Sequence, residues 1–346
     1  MTGDAEIVSM RFLDGLTVFV TGAGGFIGSH LVERLIAEGA HVRAFLRYDS
    51  QNRLGHLAEL SDEQRRNVII VRGDLKDPEA VRQAVAGCEI VFHLGALIAI
   101  PFSYQNPTDY VQTNVVGTLH VLNACRDSGV RRLIHTSTSE VYGTARTIPI
   151  TLDHPRQAQS PYSASKIAAD ALARSYACSY DLPVVILRPF NTFGPRQSSR
   201  AVIPTIVRQA LAGDAIRLGS IHPTRDFLYV SDTVNGFIAA ATAPGLSAGI
   251  ELQIGTGVET SIADVVRTAE ELLGRKLTIR CEDQRVRPPA SEVERLLCDP
   301  SEAVRLLSWS PSVSFRVGLR HVIEWMRARP TVPTDAARHD VETYVV

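Results

Sequence analysis

Apolar residues arrive along this chain in two rhythms that alternate. LTVFVTG (16–22) is a near-continuous apolar run, the pattern of a strand covered on both faces. After the turn AGGFIG, the stretch SHLVERLIAEG spaces its apolar residues as a helix does and stops at Gly39. The alternation then repeats. HVRAFLRY predicts a second strand, and VIIVRGD a third after a polar helical stretch. PEAVRQAVAGC predicts a helix, EIVFHLGA a fourth strand, and TDYVQTNVVGTLHVLNACRDSG one long helix. RRLIHTSTS predicts a fifth strand, PYSASKIAADALARSYACSYDL another long helix, and PVVILRP a sixth strand. Strands alternating with helices make parallel β-α-β units, so the fold class is α/β with a doubly wound parallel sheet.

Beyond Pro189 the rhythm breaks. Pro, Gly and Arg become frequent and the segments shorten, as in NTFGPRQ and QRVRPPASEVERL. This predicts a smaller C-terminal α+β substrate lobe. The expected division is a tail over 1–11 and a dinucleotide-binding domain over 12–189, to which 230–255 returns. The lobe takes 190–229 and 256–330, and a second tail takes 331–346.

Composition narrows the classes. The formal net charge of −1 gives no reason to expect nucleic acid as a partner. The five cysteines (Cys88, Cys125, Cys178, Cys281, Cys298) form no CxxC pair, which argues against a zinc site or disulfide framework and for buried, reduced thiols. No run approaches the ~20 apolar residues of a membrane helix, and the first fifteen residues lack the apolar core of a signal peptide. A soluble, cytoplasmic protein is expected. His93, His135 and His222 lack ligand spacing and are expected to pack or hydrogen-bond within the fold, with no metal.

The turn after the first strand carries Gly22, Gly25 and Gly28 in a GxxGxxG spacing. Such glycines permit a tight turn, a close backbone approach to a pyrophosphate, and close helix–strand packing, while the helix N-terminus attracts phosphate. The sheet is thus of the Rossmann type with a dinucleotide site. An NAD-selective site has an acidic residue at the end of the second strand. Here Leu46 stands in that place and Arg47 follows, which tilts the choice slightly to NADP over NAD, with Asp49 still within reach of a ribose. Asp74, after the third strand, is placed either to take the adenine amino group or to cap the next helix.

Tyr162 and Lys166 stand at i and i+4 on one face of a helix. A neighbouring Lys cation is expected to lower the tyrosine pKa and make it a base near neutral pH, and Lys166 can also hold the nicotinamide ribose. Thr138, at the end of the fifth strand, is expected to face the same cleft. Together they form a proton relay for hydride transfer at a carbinol.

TGAGGFIGSH, GDL, HLGA, NVVGT, TSTSEVYG, PYSASK and RPFNTFGPRQ occur in the order seen in extended short-chain dehydrogenases/reductases acting on nucleotide-sugars. The resemblance covers about Leu16 to Arg327. The chain most resembles nucleotide-sugar 4,6-dehydratases, and among them those acting on UDP-N-acetylglucosamine, or its GDP counterpart, in legionaminate-type pathways. The resemblance implies cofactor contacts from Phe26, Ile27, Leu75, Leu94, Ala96 and Pro189, with the NAD or NADP tightly bound and recycled. It implies that Glu140 removes the C5 proton after C4 oxidation. Ser139 stands where dTDP-glucose dehydratases carry the Asp that protonates the leaving hydroxyl, which argues against dTDP-glucose and leaves the C6 acid unassigned. Asn191, Arg225 and Arg287 are implied at the sugar-nucleotide phosphates. Tyr104 and Pro101 are placed at the hexose pocket by loop position. A homodimer through a four-helix bundle of the helices beginning near Thr108 and Tyr162 is also implied. UDP-glucuronate decarboxylation and 4-epimerisation are the rival chemistries. A cofactor-binding protein without catalysis is a third reading, which the intact Thr138, Tyr162 and Lys166 argue against.

Overall fold

A computed structural model describes residues 12–282 and 292–329. Its strands are β1 (Thr17–Thr21), β2 (His41–Leu46), β3 (Val68–Arg72), β4 (Ile90–His93), β5 (Arg132–Thr136), β6 (Val184–Pro189), β7 (Asn191–Phe193), β8 (Ala215–Leu218), β9 (Thr224–Arg225), β10 (Phe227–Tyr229), β11 (Ile250–Ile254), β12 (Thr260–Ser261) and β13 (Thr278–Cys281). Its α-helices are α1 (Phe26–Ala37), α2 (Asp62–Arg65), α3 (Pro78–Val85), α4 (Ile100–Gln105), α5 (Pro107–Tyr110), α6 (Gly117–Ser128), α7 (Pro161–Tyr180), α8 (Val202–Ala212), α9 (Val230–Thr242), α10 (Ile262–Leu273), α11 (Ser301–Leu307) and α12 (Phe315–Arg327). Seven strands form one parallel sheet in the order β11-β6-β5-β4-β1-β2-β3. The order reverses between β1 and β4, and ligands bind at such a switch point, beyond the carboxyl ends of the strands.

The apolar runs explain the layering. Alternate strand residues face opposite ways. Val18 and Val20 join α1, α9 and α11 in one core through Leu31, Val234, Phe237 and Leu307. Phe19 joins α3, α6 and α7 in another through Val81, Val121 and Ala173. β11 pairs with β6, so LQIG enters the main sheet after a long excursion. A third core, from α8, α10, α12 and the short strands, includes Phe193, Ile206, Val266 and Val322.

The long helix expected from Thr108 is not uniform. Between α5 and α6, Val111–Val116 form a π-turn. An inserted residue of this kind rotates the following face of a helix, and Asn114 within it is buried. The cysteines also depart from expectation. Cys88, Cys125 and Cys298 are buried, but Cys178 and Cys281 are exposed, on the outer face of α7 and on the peripheral strand β13. His222 is likewise exposed, paired with Glu294 at 3.2 Å instead of packed. Among the described residues no helix is long and apolar enough to cross a membrane, and none of their His, Cys, Asp and Glu side chains gather as a metal site.

Candidate active site

The glycine turn is made by backbone. Gly22 has φ +68°, and a Cβ on Gly28 would lie 2.2 Å from the Gly22 carbonyl oxygen. Gly25 caps α1 without a side-chain hydrogen bond, so the N–H groups opening the helix point to an outside acceptor. A pyrophosphate fits this cradle. Phe26 packs on the third core and Ile27 on the sheet core, so a contact from either to a cofactor runs through backbone. Leu75 is buried, Leu94 packs beside the sheet, Ala96 follows in the same loop, and Pro189 is buried at the end of β6.

The turn is tied to its neighbours by a hydrogen-bond chain. The Thr118 hydroxyl donates to the Asn114 carbonyl at 2.6 Å, so its oxygen is left to accept from His93 Nε2 at 3.0 Å. His93 Nδ1 then accepts from Thr21 at 2.8 Å, and Thr21 accepts from the Gly95 N–H at 2.9 Å. Burial holds His93 well below the usual imidazole range, so it serves as a neutral link. Asn114 accepts from the Leu97 N–H and donates to the Leu97 carbonyl and to Ser165 Oγ. Asn114 opens the NVVGT motif, and the sequence alone assigns it no role. The π-turn that aims it inward has no signal in hydrophobic spacing.

At the end of β2, Arg47 is exposed, and its carbonyl and those of Asn52 and Arg53 accept from the Arg72 guanidinium. Asp49 is turned to Arg53 in an ion pair. Asp74 accepts from the Lys76 N–H, whereas the cap of α3 is Asp77, so helix capping does not account for Asp74.

The proposed chemistry sits beyond β5. Thr138 accepts from the Glu140 N–H at 3.2 Å and shares a hydrogen bond with Tyr162. Ser139 is buried and Glu140 half-buried in the 3-10 turn Ser139–Tyr142. Ser160 caps α7 in a capping box with Ser163, which fixes Tyr162 in the first turn. Tyr162 packs with Ile100 and Tyr110, and Leu97 and Tyr104 close on the same cluster. Pro101 lies in the first turn of α4.

One expectation is corrected. The Tyr162 phenol is pushed above its ordinary range, not below it. Burial dominates, the Thr138 hydrogen bond opposes it, and the Glu140 charge adds to it. Lys166 is itself buried, is lowered to about 8 by desolvation, and donates to the Thr136 carbonyl at 2.7 Å.

In β7, Asn191 pairs in register with Phe227, which places it near the end of β9 and Arg225. The Oδ1 of Asn191 and the Oε1 of Gln197 are buried acceptors that take no hydrogen bond from the described residues. Gln197 was not singled out in the sequence. Arg225 is buried, donates to the Thr224 carbonyl, and has Glu292 at 3.7 Å. Arg287 lies outside the described residues.

The GDP-mannose 4,6-dehydratase family matches residues 19–322, and the chain belongs to that family. It is therefore an enzyme of the NAD(P)-dependent nucleotide-sugar dehydratase, epimerase and decarboxylase kind. The UDP-glucose 4-epimerase of Mycolicibacterium smegmatis is 33% identical over 320 residues, covering 90% of this chain and 99% of that one. A dTDP-glucose 4,6-dehydratase of Actinoplanes is 32% identical over 331 residues, with 90% and 98% covered. Among solved structures, a variant UDP-glucuronic acid 4-epimerase of Bacillus cereus, holding a fluorinated substrate analogue and NAD, superposes with a TM-score of 0.83. It is 28% identical, over 90% of this chain and 99% of that one.

Proposed function

We propose that the protein is a nucleotide-sugar 4,6-dehydratase, acting on an NDP-hexose with UDP-N-acetylglucosamine favoured. The observation that carries this reading is the half-buried carboxylate of Glu140, set beside Thr138 and Tyr162. Epimerisation at C4 needs an acid–base group for the 4-hydroxyl alone. Dehydration needs a second base, for the C5 proton.

A bound nicotinamide would supply the hydride acceptor for C4 and the hydride source for C6. Tyr162, hydrogen-bonded to Thr138, takes the 4-hydroxyl proton, and the nearby Lys166 cation steadies the phenolate. The resulting ketone acidifies C5–H, Glu140 removes that proton, and water leaves C6. With Ser139 beside it, Glu140 serves as both base and acid: the proton it takes from C5 leaves with the C6 hydroxyl as water, and a proton equivalent to the one Tyr162 took returns to C5 as C6 is reduced. Asn191, Arg225 and Arg287 bind the diphosphate, where a guanidinium matches two phosphate oxygens, and Tyr104 and Pro101 border the hexose. Arg47 supports NADP as the cofactor, since Asp49 is engaged by Arg53. A homodimer through α5–α6 and α7 is supported by exposed Val111 and Tyr180. A cytoplasmic location fits this chemistry.

Incubation with UDP-N-acetylglucosamine, GDP-N-acetylglucosamine, dTDP-glucose, GDP-mannose and UDP-glucuronate, read by mass spectrometry, tests the reading. Loss of one water from one member is expected. Glu140→Gln is expected to retain C4 oxidation and lose about 10³-fold in water elimination. An isomer of unchanged mass, as the epimerase relatives would give, or loss of carbon dioxide, would replace the dehydratase reading.

A further inference from the structure

We infer that Asp170 is a positioning residue for the reaction: its buried carboxylate, held by three neighbours one helical turn from Lys166, keeps the Lys166 ammonium charged. The inference rests on the role given to Lys166 above.

Asp170 lies one helical turn beyond Lys166 on α7 and is 0% exposed. Ser137 Oγ donates to it at 2.6 Å, Arg188 at 2.9 Å, and His135 Nε2 lies at 3.2 Å. Arg188 is also 0% exposed, and it donates further to Tyr142 and to Glu251. The Tyr142 hydroxyl passes the chain on to Gln253 in β11. Four titratable or charged groups from three strands and the helix lie around the lysine. Asp170 comes from its own helix, Arg188 from β6, neutral His93 from β4 and neutral His135 from β5.

Desolvation and Arg188 both favour loss of the Lys166 proton, and Asp170 opposes them. The carboxylate itself stays ionised because the His135 hydrogen bond and the Arg188 charge outweigh its burial. Without it, Lys166 would share a buried site with a guanidinium and no counter-charge, and a buried lysine in that setting discharges. A neutral amine could no longer steady a phenolate.

The chain has only three lysines, Lys76, Lys166 and Lys276, so ¹³Cε-lysine NMR gives three signals, and the one missing in Lys166→Met is assigned. In the native protein the Lys166 signal is expected to titrate near 8. In Asp170→Asn it is expected to fall by about one to two pH units. The dehydration rate is expected to follow, near native at pH 6 and about tenfold lower at pH 8, because the alkaline limb moves down with the lysine. A purely structural Asp170 would lower the rate equally at both pH values and leave the Lys166 midpoint in place, which overturns the inference. If the midpoint falls but the pH–rate profile stays, the coupling stands and the role given to Lys166 fails. Should Asp170→Asn not fold, Glu251→Gln removes the other carboxylate on Arg188. A smaller downward shift of Lys166 then supports the inference, and an unmoved signal overturns it.

Discussion

The glycine turn after β1 and the polar cluster behind β5 and β6 belong to one sheet and are built of opposite materials. The turn works by lacking side chains: Gly22 and Gly28 leave room for backbone, and Gly25 leaves the helix end uncapped. The cluster works by burying side chains that water would otherwise hold: Lys166, Asp170, His135 and Arg188. A backbone site tolerates no added atom. A buried charged cluster answers an exchanged atom with a change in titration as well as in stability.

Three substitutions sharpen that contrast. Gly28→Ala should have the largest effect, since its Cβ would meet backbone, which cannot swing aside. Cofactor affinity by calorimetry is expected to fall about 100-fold or more, with a lowered melting temperature. Tolerance of alanine there would remove the close-packing argument. Lys166→Met should separate stability from activity. The folded protein releases this proton near pH 8, while the unfolded chain keeps it to 10.5. Between those values the unfolded state binds more protons, so native stability rises with pH through that window, by about 3 kcal/mol. The methionine variant lacks that rise. It is expected to be inactive yet more stable than the native protein at pH 7, and urea melts at pH 7 and 10 check both points. Arg47→Ala should have the smallest effect, a loss of about tenfold in NADP affinity with NAD unchanged. Equal affinities before and after would remove the NADP preference.

The two regions also differ in how far they could be read beforehand. The turn was fully legible, because only glycine meets its conformational demand and spacing records where. The parallel, doubly wound character of the sheet followed from alternating strands and helices, whereas its strand order did not. Tyr162, Lys166 and Thr138 were legible as a motif. The direction of the Tyr162 pKa shift was not, because it depends on burial, and helical spacing cannot report how deep a face lies. Asn114 escaped for a similar reason, since a π-turn changes the direction of a residue without changing its neighbours. Asp170 and Arg188 meet across α7 and β6, 18 residues apart, and no local pattern marks either as the other's partner.

The pairing of β11 with β6 carries a consequence for how the molecule is made. β6 ends at Pro189 and its neighbour begins at Ile250, so β7 to β10 and the helices α8 and α9 leave the ribosome between them. During that interval β6 presents an open edge, which is the hazard that unfinished sheets carry. The residue that seals the Arg188 cluster from that side, Gln253, arrives with the same late strand. The half of the sheet that carries the proposed site therefore reaches its final electrostatic state only after β7 to β10, α8 and α9 have been synthesised, and the N-terminal half alone cannot complete the buried cluster behind it.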